Sequence, residues 1–376
     1  MIKRIKILAT GALLLAGLGA CSPSGKKTGA DSTVDTLRTA ETVNLLNNLR
    51  KVPTQGIMFG HHDDPLYGVG WEGDEDRSDV KSVCGDYPAV MSFDLGHIEL
   101  EREKSLDNVP FRKIRQETIN QYKRGGVVSF SWHLDNPLTG KDAWDVSDTT
   151  VVASILPGGV HHAKFISWLD AVAAFMNTLE TEEGTKIPVI FRPWHEHTGS
   201  WFWWGQNLCT ADQYKALWRM THDRMHARGV KNLLYAYSPG SEPKDSTAYL
   251  ERYPGDDIID LVGFDTYQFD RTQYMEQLDK SLAILTEVGK AHDKPIAITE
   301  TGFEAIPDSV WWTQTLYPVI SKYPISYVLV WRNARERVTH YSLNIFSEIP
   351  FYILSLYISY LRIFSFGLHT HKISRF

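Results

Sequence analysis

The chain reads as an α/β protein, a single (β/α)8 TIM barrel, and three observations predict it. Eight short β-branched runs recur along the 376 residues, helical patterns lie between them, and no linker or low-complexity tract divides them. Alternating strand and helix points to a parallel sheet, and eight units favour a closed barrel over an open sheet.

The runs are 56–60, 89–94, 127–133, 188–192, 233–238, 259–267, 296–300 and 327–331. Most lack strict alternation, as expected of parallel strands buried on both faces. Between the third and fourth runs, Phe165, Trp168, Leu169, Val172, Phe175, Met176 and Leu179 fall on one helical face. Thr210 and Gln213 form a capping-box pair ahead of Tyr214, Leu217, Trp218 and Met225. Gly125 and Gly289 stand where helix C-termini are expected to stop. The longest gap, 134–159, holds Asp, Asn, Pro, Gly and Trp144 and reads as a loop on the active face. The barrel is expected to span 38–340.

A barrel of this kind gathers its strand ends at one face. Two of those ends carry glutamates: Glu196 in Ile187-Pro-Val-Ile-Phe-Arg-Pro-Trp-His-Glu-His, and Glu300 in Pro295-Ile-Ala-Ile-Thr-Glu-Thr-Gly. Their strands, fourth and seventh, lie across the barrel mouth. Retaining glycoside hydrolysis needs an acid to protonate the leaving oxygen and a carboxylate about 5 Å away to attack the anomeric carbon. At that separation the two charges repel, so one group keeps its proton near neutral pH. The competing structural reading pairs each glutamate with an arginine such as Arg192.

Four tryptophans crowd the segment around Glu196, namely Trp194, Trp201, Trp203 and Trp204. Aromatic faces stack on the apolar face of a sugar and leave its hydroxyls free for polar contacts. A small hydrophobic cluster beneath the loop is the alternative. His195 and His197 flank Glu196, but His-Glu-His lacks the helical His-Glu-x-x-His spacing, so zinc catalysis is not expected. On a strand the two histidines would share one face and Glu196 the other, and a hydrogen-bonding role suits His195 better. Other strand ends supply His62 (beside His61, Asp63 and Asp64), Asp94, His133, Asp265, Tyr267 and Trp331. A tyrosine hydroxyl donating to Glu300 would favour the ionised form that a nucleophile requires. Asp265 and His133 also read as satisfied core polar groups. Neither a Gly-x-Ser-x-Gly elbow nor a phosphate-binding Gly-x-x-x-x-Gly-Lys-[Ser/Thr] loop occurs.

These motifs together resemble glycoside hydrolase family 26, the β-mannanase family. The most specific is Arg192-Pro-Trp-His-Glu-His-Thr-Gly-Ser-Trp-Phe-Trp-Trp-Gly. It is joined by Phe59-Gly-His-His, Ser131-Trp-His, Gly263-Phe-Asp-Thr-Tyr, Ile298-Thr-Glu-Thr-Gly and Val330-Trp-Arg-Asn. The resemblance runs from about Thr39 to about Glu336. It implies Glu196 as acid/base, Glu300 as nucleophile, and Tyr267 as the tyrosine that orients the nucleophile. His195 stands where much of the clan has asparagine. Trp201, His133, Asp265 and Trp331 look like residues lining sugar subsites, with Arg192 and His62 in support. The implied substrate is a β-1,4-mannan, glucomannan or galactomannan, polysaccharide or oligosaccharide, cleaved without metal or cofactor. Some members release mannobiose from chain ends, and others cleave mixed-linkage β-glucan or β-1,3-xylan. A non-catalytic glycan-binding lipoprotein is the reading from another class.

The first 21 residues read as an export signal. Lys3, Arg4 and Lys6 precede an apolar core, and Leu18-Gly-Ala-Cys21 looks like a bacterial lipobox that would lipidate Cys21. The apolar run is shorter than the about twenty residues of a membrane span. Residues 22–37 read as a flexible tether. The chain is thus expected in the bacterial cell envelope, held to a membrane by an N-terminal lipid, and monomeric. Formal charge is −6, or −9 without the three basic leader residues, and no basic stripe appears, so nucleic acid is a poor candidate partner. A disulfide between Cys84 and Cys209 is allowed but not required. Residues 341–376 depart from the family, which closes with a loop and an eighth helix after Arg337. From Ile345 onward the tail is rich in Ile, Phe, Tyr and Ser with one acidic residue. It reads either as a frameshifted end or as a divergent tail. Loss of the closing helix would expose apolar surface between strands eight and one.

Overall fold

Each of the eight apolar runs forms a strand in the computed structural model, which describes residues 38–304 and 306–333. The strands are β1 Met58–His62, β2 Val90–Asp94, β3 Val127–Ser131, β4 Val189–Arg192, β5 Leu233–Tyr237, β6 Leu261–Gln268, β7 Ile296–Phe303 and β8 Ile325–Val330. All neighbours pair in parallel and in sequence order, and the sheet closes on itself. The closing seam between β8 and β1 runs in register from Met58 opposite Tyr327 to His61 opposite Val330. The leader with Cys21, the tether, and the tail with its expected closing helix lie outside the described residues. No described helix is long and apolar enough to cross a membrane.

The runs lack alternation because both strand faces are covered. One apolar cluster lies between strands and outer helices, bringing Phe93, Phe130, Phe191 and Phe264 against Ile114, Phe165, Leu217 and Leu282. A smaller cluster joins Val90, Ile190, Leu234, Ala236, Leu261, Ala297 and Leu329 to Leu45 and Leu49. Those two leucines belong to the helix Ala40–Lys51, which plugs the end of the barrel opposite the site. Thr39 caps that helix by accepting from the Thr42 amide, and Arg38 ties it to Asp260 at 2.6 Å.

The expected helix around Phe165 spans His162–Asn177 with Phe165, Trp168, Leu169, Val172 and Met176 buried. The Thr210–Gln213 capping box is formed, with both reciprocal hydrogen bonds in place. Gly125 follows the helix Phe111–Lys123 at φ 84°, the left-handed geometry that ends a helix. Gly289 corrects the reading. It lies inside the helix Arg271–Ala291, and a Cβ there would stand 2.3 Å from Ile296 Cγ2. Its absent side chain lets helix and β7 approach, while Asp293 at φ 51° takes the left-handed position. The 134–159 gap is irregular apart from one short helix, Val151–Ile155. Cys84 and Cys209 are both unpaired.

Candidate active site

The chain after β4 turns sharply. Trp194 and Glu196 both adopt positive φ, 57° and 52°, a conformation that costs a non-glycine residue about 1–3 kcal/mol and persists only where its surroundings enforce it. Four hydrogen bonds do so. The Tyr214 hydroxyl donates to the Trp194 carbonyl at 2.6 Å, and Trp204 Nε1 donates to the His195 carbonyl at 2.8 Å. The Glu196 amide donates to the Ser238 carbonyl at 2.8 Å, and the Gly199 amide to the Glu196 carbonyl at 3.0 Å. This geometry corrects the expected strand alternation. His195 faces His133, whereas His197 is buried against the rings of Tyr214 and Tyr237 at 4.4 and 4.9 Å.

Glu300 sits within β7, opposite Asp265 of β6. Arg192, at the end of β4, donates to Asp265 Oδ2 at 2.7 Å and to Glu300 Oε1. The Tyr267 hydroxyl donates to Glu300 Oε2 at 2.7 Å. The arginine pairing weighed as an alternative therefore exists for Glu300, but not for Glu196, whose Oε2 accepts from Trp201 Nε1 at 2.7 Å. Carboxylate oxygens of Glu196, Asp265 and Glu300 all come within 4.8 Å of one another. That approach is close enough for the about 5–5.5 Å spacing of retaining glycosidases and too close for the roughly 6.5–9.5 Å of inverting ones.

The three carboxyls and one guanidinium set the electrostatics. Burial pushes the Glu196 carboxyl well above the ordinary glutamate range, the neighbouring Asp265 and Glu300 push it further, and the Trp201 hydrogen bond only partly opposes them. Burial also lifts Asp265 to about 7 against the opposing charge of Arg192. Asp265 is 3% exposed, and its other oxygen accepts from Ser238 and Thr299. It is a buried partner of Arg192 and does not line the cleft surface. Burial and the Glu300 charge hold the Tyr267 hydroxyl protonated far above its usual range.

Around these groups stand rings. Trp331 follows β8 directly, and His62 stacks behind it at 3.9 Å, wholly buried and so a support beneath Trp331 with no access to a ligand. His133 lies edge-on to Trp331 at 6.0 Å and stacks on Trp144 at 5.5 Å. Of the four tryptophans near Glu196, only Trp201 is exposed, at 41%. Trp194, Trp203 and Trp204 form a buried cluster with ring centroids 5.1 to 5.6 Å apart. The hydrophobic-cluster reading holds for those three. Sequence reasoning missed Trp144, 48% exposed, as a site residue. Its signal was an aromatic in the one long loop on this face.

Two described clusters bring possible metal-ligating atoms within 4.8 Å, Glu196–Asp265–Glu300 and His62–Asp63–Asp107. Each already contains a cation or a donor. Arg192 serves the first; in the second, Arg332 pairs with Asp107 at 3.1 Å and Tyr67 donates to Asp63 at 2.8 Å.

Residues 34–336 match the model of glycosyl hydrolase family 26. The chain belongs to glycosyl hydrolase family 26. This family 26 chain is 35% identical over 320 residues to a mannan endo-1,4-β-mannosidase of Bifidobacterium adolescentis, covering 79% of the chain and 31% of the relative. A mannan endo-1,4-β-mannosidase of Bacillus subtilis is 28% identical over 347 residues, 88% of the chain and 89% of the relative. The family 26 chain thus spans about a third of the first relative's length and most of the second's. Its barrel superposes with TM-score 0.81 and 61% identity on the structure of a GH26 β-mannanase from Bacteroides ovatus, covering 87% of this chain and 93% of that one.

Proposed function

We propose that this family 26 hydrolase is a mannan endo-1,4-β-mannosidase that cleaves mannan, glucomannan or galactomannan with retention. The observation that carries this reading is the approach of the Glu196 and Glu300 carboxylates to within 4.8 Å at the barrel mouth. Glu300, braced by Arg192 and Tyr267, attacks the anomeric carbon from one face. Glu196 holds its proton because burial and two neighbouring carboxyls disfavour its charge, and it gives that proton to the departing sugar. Once the glycosyl-enzyme has formed and the leaving chain has gone, Glu196 takes a proton from the incoming water. Trp201, Trp331, His133 and Trp144 supply the wall against which sugars rest. The names of the relatives support mannan as substrate and an endo mode of attack.

The test uses two variants. Glu300→Ala and Glu196→Ala are each expected to lower mannan turnover by orders of magnitude while the barrel still folds. An aryl mannoside with a good leaving group needs no acid assistance, so it should restore glycosylation in Glu196→Ala only. Full mannan hydrolysis by either variant removes the assignment. Reducing-sugar release from mannan, lichenan and β-1,3-xylan separates the mannanase from a glucanase or xylanase. Early accumulation of mannobiose alone would identify an exo mode.

We also infer that Cys21 carries lipid and holds the mature chain to an envelope membrane as a monomer, a reading supported by Leu18-Gly-Ala-Cys21. Cys21→Ser should release the protein from the membrane fraction. Light scattering of the detergent-free catalytic domain checks the monomer.

A further inference from the structure

Asp94 ends β2 with both carboxylate oxygens fully used. Oδ1 accepts from the Gly96 amide at 2.6 Å and the His133 amide at 3.2 Å. Oδ2 accepts from Ser131 Oγ at 2.6 Å and His133 Nδ1 at 2.6 Å. At 1% exposure it cannot touch a substrate. His133 then reaches across the cleft wall, its Nε2 lying 3.0 Å from His195 Nε2. His195 immediately precedes Glu196 in the strained turn.

We propose that Asp94 is a positioning residue for the hydrolysis set out above. By accepting from His133 it fixes the proton on Nδ1, and through His133 Nε2 it aligns the ring of His195 and the turn that carries Glu196. This rests on the glycosidase reading of the same site.

The chemistry follows from counting protons. An ionised carboxylate only accepts, so His133 Nδ1 must donate. Between the two Nε2 atoms there is room for one proton. When His133 is neutral, His195 donates to it; when His133 is an imidazolium, it donates to His195. Burial alone would lower the basicity of His133, but the charge and hydrogen bond of Asp94, with Glu300 beyond, outweigh it and raise it. Burial and the Arg192 charge keep His195 neutral. The charged or titratable groups facing His133 are Asp94 from β2, Glu300 from β7, Arg192 and His195 from β4 and its loop, and His62 from β1. Trp144, Phe202 and Trp331 pack around the ring.

Asp94→Asn inverts this arrangement with almost no change of shape. Its amide nitrogen cannot replace Oδ1, because two backbone N–H groups point there. It must replace Oδ2, where Ser131 can turn its hydroxyl to accept. His133 then has to present a lone pair at Nδ1 and carry its proton on Nε2. The experiment follows the imidazole signals of His133 by NMR, assigned by their loss in His133→Gln, in the full catalytic domain. In the unmodified protein Nδ1 is expected to be protonated, and the ring to titrate above the ordinary histidine range. In Asp94→Asn the titration is expected to fall by at least about one pH unit, with kcat on mannan reduced about ten-fold or more and KM changed less. Ser131→Ala, which leaves the Asp94–His133 bond intact, should keep the wild-type titration. An unprotonated Nδ1 in the unmodified protein overturns the proposal without any variant, and so does an unmoved titration in Asp94→Asn. Failure of the unmodified protein to hydrolyse mannan would instead sink the functional reading, since the nitrogen shifts report the proton with no substrate present.

Discussion

The Glu196 carboxylate accepts from Trp201 Nε1, and that bond tunes the proposed acid as well as placing it. A hydrogen bond to the charged form lowers a carboxyl's pKa, so its loss must raise one that burial already holds high. Trp201→Phe is therefore expected to move the alkaline limb of the kcat/KM profile to higher pH. It should also lower kcat/KM at the optimum about ten-fold, ~1.4 kcal/mol of transition-state stabilisation. A pH–rate series on a soluble mannan checks both. A limb that stays put would mean that Trp201 acts only as a sugar platform. The placement of Glu196, Glu300, Tyr267 and Trp331 around one site was legible because strand-end chemistry survives as local motifs. The roles of Trp194, Trp203 and Trp204 were not, because a tryptophan stacked on sugar and one packed under a loop are the same letter. Only burial separates them.

At the scale of the elements, two glycines set how closely parts approach. A Cβ at Gly199 would stand 2.1 Å from the Trp201 ring, so Gly199→Ala must swing that ring away from Glu196. It should reproduce the pH shift of Trp201→Phe with little change in thermal midpoint, because the displaced Trp201 ring is exposed and can move into solvent. Gly289→Ala acts differently. Alanine favours a helix by about 1 kcal/mol over glycine, but its methyl would collide with Ile296 of β7, and overpacking costs about 1–3 kcal/mol. The collision wins, so calorimetry should record a lower midpoint with kcat unchanged. Gly289 was read as a helix end because sequence shows a helix-breaking residue near a predicted terminus. It cannot show the strand packed against it.

Across the whole molecule, buried carboxyls govern how stability depends on pH. Glu99 links two loops of the active face, accepting from Trp132 Nε1 at 3.0 Å and the Asp135 amide at 2.9 Å, and burial pushes it up to about 7. Its pKa is raised in the folded state. Its contribution is therefore complete below the unfolded value of about 4.3 and is lost as pH rises through 7, because only the unfolded chain then ionises freely. The thermal midpoint is expected to fall between pH 5.5 and pH 8.5, with Glu99 accounting for about 2 kcal/mol. Glu99→Gln, which cannot ionise, should flatten that decline. A slope unchanged in Glu99→Gln would assign the loss to other groups.

Sequence alone determined the eight strands, their parallel closure and the two glutamates, since burial on both sheet faces and strand-end chemistry are written in local residue order. Tertiary structure decided the rest. It determined that Arg192 bridges Asp265 and Glu300, that the turn at Glu196 breaks strand alternation, and that Trp144 meets His133. Each of these depends on how separate segments meet in space, from the 11 residues between His133 and Trp144 to the 108 between Arg192 and Glu300, and no local pattern carries those distances.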